Sequence, residues 1–138
     1  MKVLIDTNII LDIFNMRQPH LDSSVAALTL CEEKKIGSII ASQTTDIFYL
    51  LCRDGKTNRE AKKILTGLAD NFSIQSIIAA DVENALASEM PDYEDALLAI
   101  CAKRHKMDYI ITRNEKDFKF SPVPALSPEK FLERFFAS

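Results

Sequence analysis

Glycine and proline are scarce in this chain, with three and five among 138 residues, and histidine is scarcer still, with two. So few breakers leave no stretch that suits a flexible linker. One domain spanning residues 1–138 is expected, at a size that can bury a substantial core. No apolar run approaches the roughly 20 residues needed to cross a bilayer, and the opening MKVLIDTN reaches an acid before a signal-peptide core could form. A cytoplasmic protein with no membrane association is the expectation. The three cysteines, Cys31, Cys52 and Cys101, are odd in number and widely spaced, each in an apolar helical stretch. They are expected to be buried reduced thiols, and the absence of CxxC or Cys/His spacing argues against zinc. His20 and His105 have no paired ligands at useful spacing. No GxSxG, P-loop or GxGxxG pattern occurs. Seventeen basic residues against twenty acidic ones give a net charge of −3. The molecule therefore lacks the overall basic footprint of a dedicated nucleic-acid binder, and any such binding must be local. An acidic total is also what a site built from carboxylates produces.

What is present is a repeated alternation of short apolar runs and amphipathic segments. Lys2 to Ile5 is an aliphatic run that stops at Asp6-Thr7-Asn8, whose side chains bond local backbone and end a strand. Ile9 to Phe14 suits a helical turn. Residues 21–34 place Val25, Leu28 and Cys31 at helical spacing, with Gly37 as the expected stop. Ser38 to Ala41 reads as a second buried strand, and Ser42 as the cap of a helix over 43–52. A further amphipathic helix over 59–70 carries Ala61, Ile64, Leu65 and Leu68 on one side. A weakly alternating strand over 72–78 and a short helix over 81–88 follow. The longest expected helix spans 92–106, then come strands over 109–112 and 123–126. Ser127 and Pro128 sit at N-cap and first-turn positions of a final helix reaching about Phe136. Strands alternating with helices predict an α/β fold, a three-layer α/β/α sandwich with a mainly parallel central sheet.

In such a sheet the carboxyl ends of the strands line one edge, where sites form. Asp6 follows the first strand, and Asn114 follows the 109–112 strand with Asp117 one turn on. Asp46 lies near the start of the helix entered from the second strand, and Asp92 and Asp95 open the helix that feeds the 109–112 strand. Uncompensated carboxylates gathered at one edge repel and raise one another's pKa, and a divalent cation relieves that cost. All-oxygen ligands suit Mg²⁺ or Mn²⁺, with which an activated water can attack a phosphodiester without a protein nucleophile.

These residues resemble the PIN-domain family, the fold of many prokaryotic toxin ribonucleases of the VapC type. The opening signature stands here as Val3-Leu4-Ile5-Asp6-Thr7-Asn8 followed by Asp12. The third-acid region is Asp92-Tyr93-Glu94-Asp95-Ala96-Leu97, and the closing motif runs from Ile111 to Phe118 through Thr112, Arg113, Asn114, Glu115, Lys116 and Asp117. The resemblance implies a Mg²⁺- or Mn²⁺-dependent endoribonuclease of the kind that serves as the toxin of a toxin–antitoxin pair. Its catalytic residues would be Asp6, Asp46, Asp95, Asn114 and Asp117, and its metal ligands Asp6, Asp95, Asp46 and Asp92. Asn8 would support the loop and the hydrogen bonding of the active site, Thr112 would act similarly, and Arg113 and Lys116 would guide RNA. Two positions depart from the family pattern: Asp46 stands where a glutamate is usual, and Asn114 where many members have aspartate.

Simpler roles stand beside these. Asp12 suits a structural pairing with Arg17 or another base, Asp92 an N-cap, Asp95 a capping-box acid and Glu94 a solvated side chain. The basic runs Arg53, Lys56, Arg59, Lys62, Lys63 and Lys103, Arg104, Lys106 suit either solvated helix faces or phosphate contacts. Leu21, Ala27 and Leu28 are expected to be exposed, and the resemblance makes them a surface for an antitoxin or a homodimer. The alternative function is a catalytically weak PIN-fold module that binds RNA or protein. A dehalogenase-type phosphatase, which also opens on a strand ending in aspartate, would need a second aspartate where Asn8 stands.

Overall fold

The computed structural model describes residues 1–137. In chain order the elements are β1 (Val3–Ile5), α1 (Thr7–Phe14), α2 (Leu21–Lys34), β2 (Gly37–Ile40), α3 (Ala41–Arg53), α4 (Asn58–Asn71), β3 (Ser73–Gln75) and α5 (Ala79–Leu86). They continue with α6 (Tyr93–Arg104), β4 (Tyr109–Ile111), a 3-10 turn (Glu115–Phe118), β5 (Ala125–Leu126) and α7 (Pro128–Ala137). The five strands form one sheet in the order β3-β2-β1-β4-β5. Every pairing is parallel, so the sheet is wholly rather than mainly so.

Side chains on successive residues of a strand leave opposite faces of the sheet, and both faces here are covered. Val3, Ile5, Ile39 and Ile111 pack with residues of α1, α2, α3, α4 and α7. Leu4, Ile40 and Ile110 pack on the other face with α5, α6 and the segment around Phe118 and Val123. This is the α/β/α sandwich, and it explains why the central strand β1 is apolar at every position: a strand buried on both faces has no solvent side on which to alternate.

Local differences from the expectations have identifiable causes. The α2 span agrees at both ends, but Gly37 does not stop it. Lys35 takes the left-handed conformation at φ 55°, and Gly37 instead opens β2. A Cβ at Gly37 would lie 2.5 Å from Phe72 Cδ1 and 3.1 Å from Cys31 Cβ, so this position is kept small by packing. Ser42 does not cap α3; the Gln43 side chain accepts from the Ile40 backbone N–H at 2.8 Å and the helix begins at Ala41. The 12-residue α6 is shorter than α2 and α4 at 14 each. Ala27 and Leu28 are buried rather than exposed, because α2 is packed by α1 and α7. Leu28 lines an apolar groove with Phe14, Val25, Ile64, Leu68 and Phe72. Cys31 and Cys101 are buried free thiols, whereas Cys52 is half-buried.

Arg104 is not a free basic residue. Its Nε and Nη2 donate to the buried Asp81 carboxylate at 2.8 and 2.9 Å, and Nη2 also donates to the Ser76 carbonyl at 2.7 Å. His105 Nε2 sits 2.8 Å from that same carbonyl. The network pins the end of α6 to the start of α5, and the guanidinium holds the Asp81 carboxyl below its ordinary range. No helix among the described residues is long and apolar enough to cross a membrane.

Filling the space at Gly37 forces Phe72 or the strand to shift. Gly37→Ala is expected to lower unfolding free energy by about 1–3 kcal/mol, read as a reduced urea midpoint at unchanged slope.

Candidate active site

The strand order turns back on itself between β1 and β4, since β1 leads to β2 on one side and β4 lies on the other. Loops leave such a switch point in opposite directions and open a crevice at the carboxyl ends of the strands. Asp6 stands there. Its backbone N–H donates to Ile111 O at 2.9 Å, continuing the β1–β4 ladder by one residue. Its Oδ2 accepts from Thr112 Oγ1 at 2.7 Å and from Asn8 Nδ2 at 3.2 Å. Thr112 Oγ1 in turn accepts from the Asn114 N–H at 3.1 Å, and Asn8 Oδ1 accepts from the Arg113 N–H at 3.5 Å. The first strand end and the fourth are thus sewn together around one carboxylate.

A cleft of about 320 Å³ opens beside it, lined by Asp6, Thr7, Ser42, Gln43, Asp46, Tyr93, Glu94 and Asp95, with Ile40, Leu97 and Leu98 on its apolar side. Each acid arrives for a local reason. Asp46 is brought by α3, whose start is fixed by Gln43: its Nε2 donates to Ile5 O at 2.7 Å and lies 3.2 Å from Thr7 Oγ1. Asp95 is brought by α6, whose N-cap is Asp92, with Oδ1 accepting from the Asp95 N–H at 3.0 Å. The Asp95 side chain does not complete a capping box and is left to face the cleft. Asp92 therefore fills the simpler role expected of it. Glu94, expected to be a solvated side chain, is exposed and also forms part of the cleft wall. Its signal in the sequence is the acidic run from 92 to 95 at a helix start.

The cleft is electrostatically strained, and no Lys, Arg or His lines it. Burial pushes the Asp6 carboxyl above its ordinary value, against the opposing hydrogen bonds from Thr112, Thr7 and Asn8 and the charge of Arg113. Asp95 is pushed up to about 7, first by burial and then by the charges of Asp6, Asp92, Asp117 and Glu94. Glu94 is raised by burial and by Asp46, Asp92 and Asp6. Asp117 is exposed on the 3-10 turn after β4, close enough for its charge to reach Asp95. Asn114 is exposed at the start of that turn, its side chain free of any capping bond.

The donors are carboxylate, hydroxyl and amide oxygens only, a set that fits a hard divalent cation. Among the described residues no three acidic, His or Cys side chains close into a ready-made cage. That openness fits Mg²⁺, which takes one or two carboxylates and keeps several waters.

Arg113 is committed elsewhere. Its Nε lies 2.7 Å from Oδ2 of Asp12, a carboxylate with no exposed surface, and Ser24 Oγ donates to the same oxygen at 3.4 Å. Asp12 Oδ1 has no hydrogen-bond partner. Arg17 pairs with Asp54 at 3.4 Å rather than with Asp12. Lys116, in contrast, is exposed beside the closing motif.

The family model of the PIN domain matches residues 2–116. This chain belongs to the PIN-domain family. Over 143 aligned positions this PIN domain is 30% identical to Ribonuclease VapC1 of Aquifex aeolicus, covering 97% of this chain and 95% of that protein. Its fold is similar to a chain of a toxin–antitoxin complex from Klebsiella pneumoniae, with a TM-score of 0.70, 22% identity, and 92% and 98% of the two chains covered. It is similar also to a chain of VapBC2 from Rickettsia felis bound to a promoter DNA fragment, with a TM-score of 0.71, 20% identity and the same coverage.

Because Asp95 binds its proton more tightly folded than unfolded, the folded state holds more protons than the unfolded one between about pH 3.8 and 7. Stability of the metal-free protein is expected to fall as pH rises through that window. Urea midpoints measured across it should flatten in Asp95→Asn. Separately, Asp12→Ala strands the Arg113 guanidinium beside a cavity and is expected to cost about 3 kcal/mol, measured by the same unfolding curves.

Proposed function

We propose that this PIN domain is a divalent-metal-dependent endoribonuclease of the VapC toxin type, hydrolysing RNA phosphodiester bonds in the cytoplasm. The reading rests on the convergence of Asp6, Asp46, Glu94 and Asp95 on one cleft at the sheet's switch point. It is supported by near full-length similarity to Ribonuclease VapC1.

Asp6 and Asp95 would hold Mg²⁺ or Mn²⁺ directly or through water, with Asp46 contributing through water and Asp92 serving as the cap that presents Asp95. Bound there, the cation supplies an activated water and offsets charge on the phosphodiester under attack. The chain's own work is positional. Thr112 and Asn8 fix the rotamer of Asp6 through its Oδ2. Thr112 is fixed in turn by the Asn114 amide. Asp95 is delivered by the Asp92-capped first turn of α6. Asn114 and Asp117 complete the site from the β4 side, and Lys116 meets an RNA phosphate at its rim. Arg113 acts through its charge on Asp6 rather than by gripping RNA, since its guanidinium is held by Asp12. An antitoxin protein and a second copy of the chain are the proposed partners. A sedimentation experiment showing only monomer at high concentration would count against the dimer.

Purified protein given RNA with Mg²⁺ or Mn²⁺ is expected to cleave it. Asp6→Asn and Asp95→Asn should each lower the rate by at least ~100-fold, beyond what loss of an outer partner costs a metal site. Unchanged cleavage in both variants would falsify the assignment. Because no closed three-ligand cage occurs among the described residues, one second reading stands beside it, a metal-poor binding module. Calorimetry separates the two: saturable Mn²⁺ binding lost in Asp6→Asn supports the enzyme, and no Mn²⁺ binding even with RNA present supports the module.

A further inference from the structure

The acidic cleft has one aromatic side chain on its wall. Tyr93, the first residue of α6 and two before Asp95, lines it and is 42% exposed. Its hydroxyl makes no hydrogen bond and its ring no aromatic or cation contact among the described residues. Tyr49, Phe120 and Phe136 are exposed as well, but none of them borders this cleft. The cleft therefore has two chemically distinct sides: carboxylates from Asp6, Asp46, Glu94 and Asp95, and an apolar side from Ile40, Leu97 and Leu98, with an uncovered ring beside them.

A nucleotide has the same two-part character, a charged phosphate joined through ribose to a flat, weakly polar base. No cationic side chain lines the cleft, so the protein offers RNA little direct Coulombic attraction at the point of cleavage. Binding there has to draw on a bound cation and on contacts indifferent to charge. Base–aromatic stacking is such a contact, and it is open only to a base that is not already stacked in a helix.

We propose that Tyr93 is a stacking platform for an unpaired nucleobase beside the scissile phosphate. The proposal rests on the nuclease reading above. Tyr93 is a substrate-positioning residue; the chemistry stays with the carboxylates.

The test is steady-state cleavage of a short single-stranded oligoribonucleotide whose cut position has been mapped, by the wild type, Tyr93→Ala and Tyr93→Phe. Tyr93→Ala is expected to raise KM by about tenfold with kcat within twofold, and Tyr93→Phe to behave as wild type. The KM ratio should persist when salt is raised, because stacking releases no counterions. A second arm places an abasic nucleotide in turn at each position flanking the cut. At one position the wild type should lose about tenfold in KM, while Tyr93→Ala loses nothing further. Equal thermal unfolding of the three proteins confirms that an exposed ring has been changed without harm to the fold. Unaltered KM in Tyr93→Ala, or an abasic penalty of the same size in wild type and Tyr93→Ala, would overturn the stacking site while leaving the nuclease intact. Absence of any RNA cleavage by the wild type would remove the nuclease reading and the stacking site with it.

Discussion

Three residues at the centre of the sheet carry the architecture. Val3, Leu4 and Ile5 are essentially fully buried and pair in parallel with β2 on one side and β4 on the other. Because the order reverses beside β1, the residue that follows it has nowhere to go but the crevice at the sheet's edge. Asp6 is therefore placed by strand pairing before any active-site interaction acts on it. The hydrogen bonds from Thr112 and Asn8 then choose its orientation. The remaining acids reach the same edge because α3 and α6 both begin there, one fixed by Gln43 and the other by Asp92.

Two very different solutions to buried negative charge lie side by side. Asp12 is answered by a guanidinium at 2.7 Å, and Asp81 by another at 2.8 Å. Those carboxylates are structural: they tie α1 to the loop after β4, and α5 to α6. In the cleft, by contrast, Asp6, Glu94 and Asp95 make no ion pair among the described residues, and burial raises their pKa values even though the charge of Arg113 reaches Asp6. The fold has the means to neutralise an acid and does not use it there. Proteins store such unfavourable arrangements at sites where a ligand is to supply the missing charge.

The fold could be read largely from pattern. Apolar runs ending in polar residues marked strand ends, and the 3.6-residue spacing of Leu21 to Lys34 located α2 to the residue. What could not be read depended on contacts distant in sequence. Gly37 looked like a helix stop, yet its smallness serves Phe72, 35 residues on. Ser42 looked like a cap, but Gln43 does that work because it is also bonded to the end of β1. In the site, Asp6, Asp46 and Asp95 could be placed near one another from topology alone. The commitment of Arg113 to Asp12 could not, since nothing local marks a pairing across 101 positions. Glu94 and Tyr93 were hidden for another reason: on an isolated helix start both look like ordinary solvent-facing residues, and only the cleft gives them a direction.

The bond between Asp6 and Thr112 joins positions 106 apart, and the ladder that holds it needs β1 and β4 together. During synthesis the amino-terminal end emerges first. A growing chain thus displays Asp6 long before it possesses the threonine that orients it, and Asp95 has no folded α6 to ride on until the same late stage. The site is assembled only once α6 and β4 have been made. Fragments that stop before α6 and β4 carry the most recognisable motif of the sequence but none of its geometry.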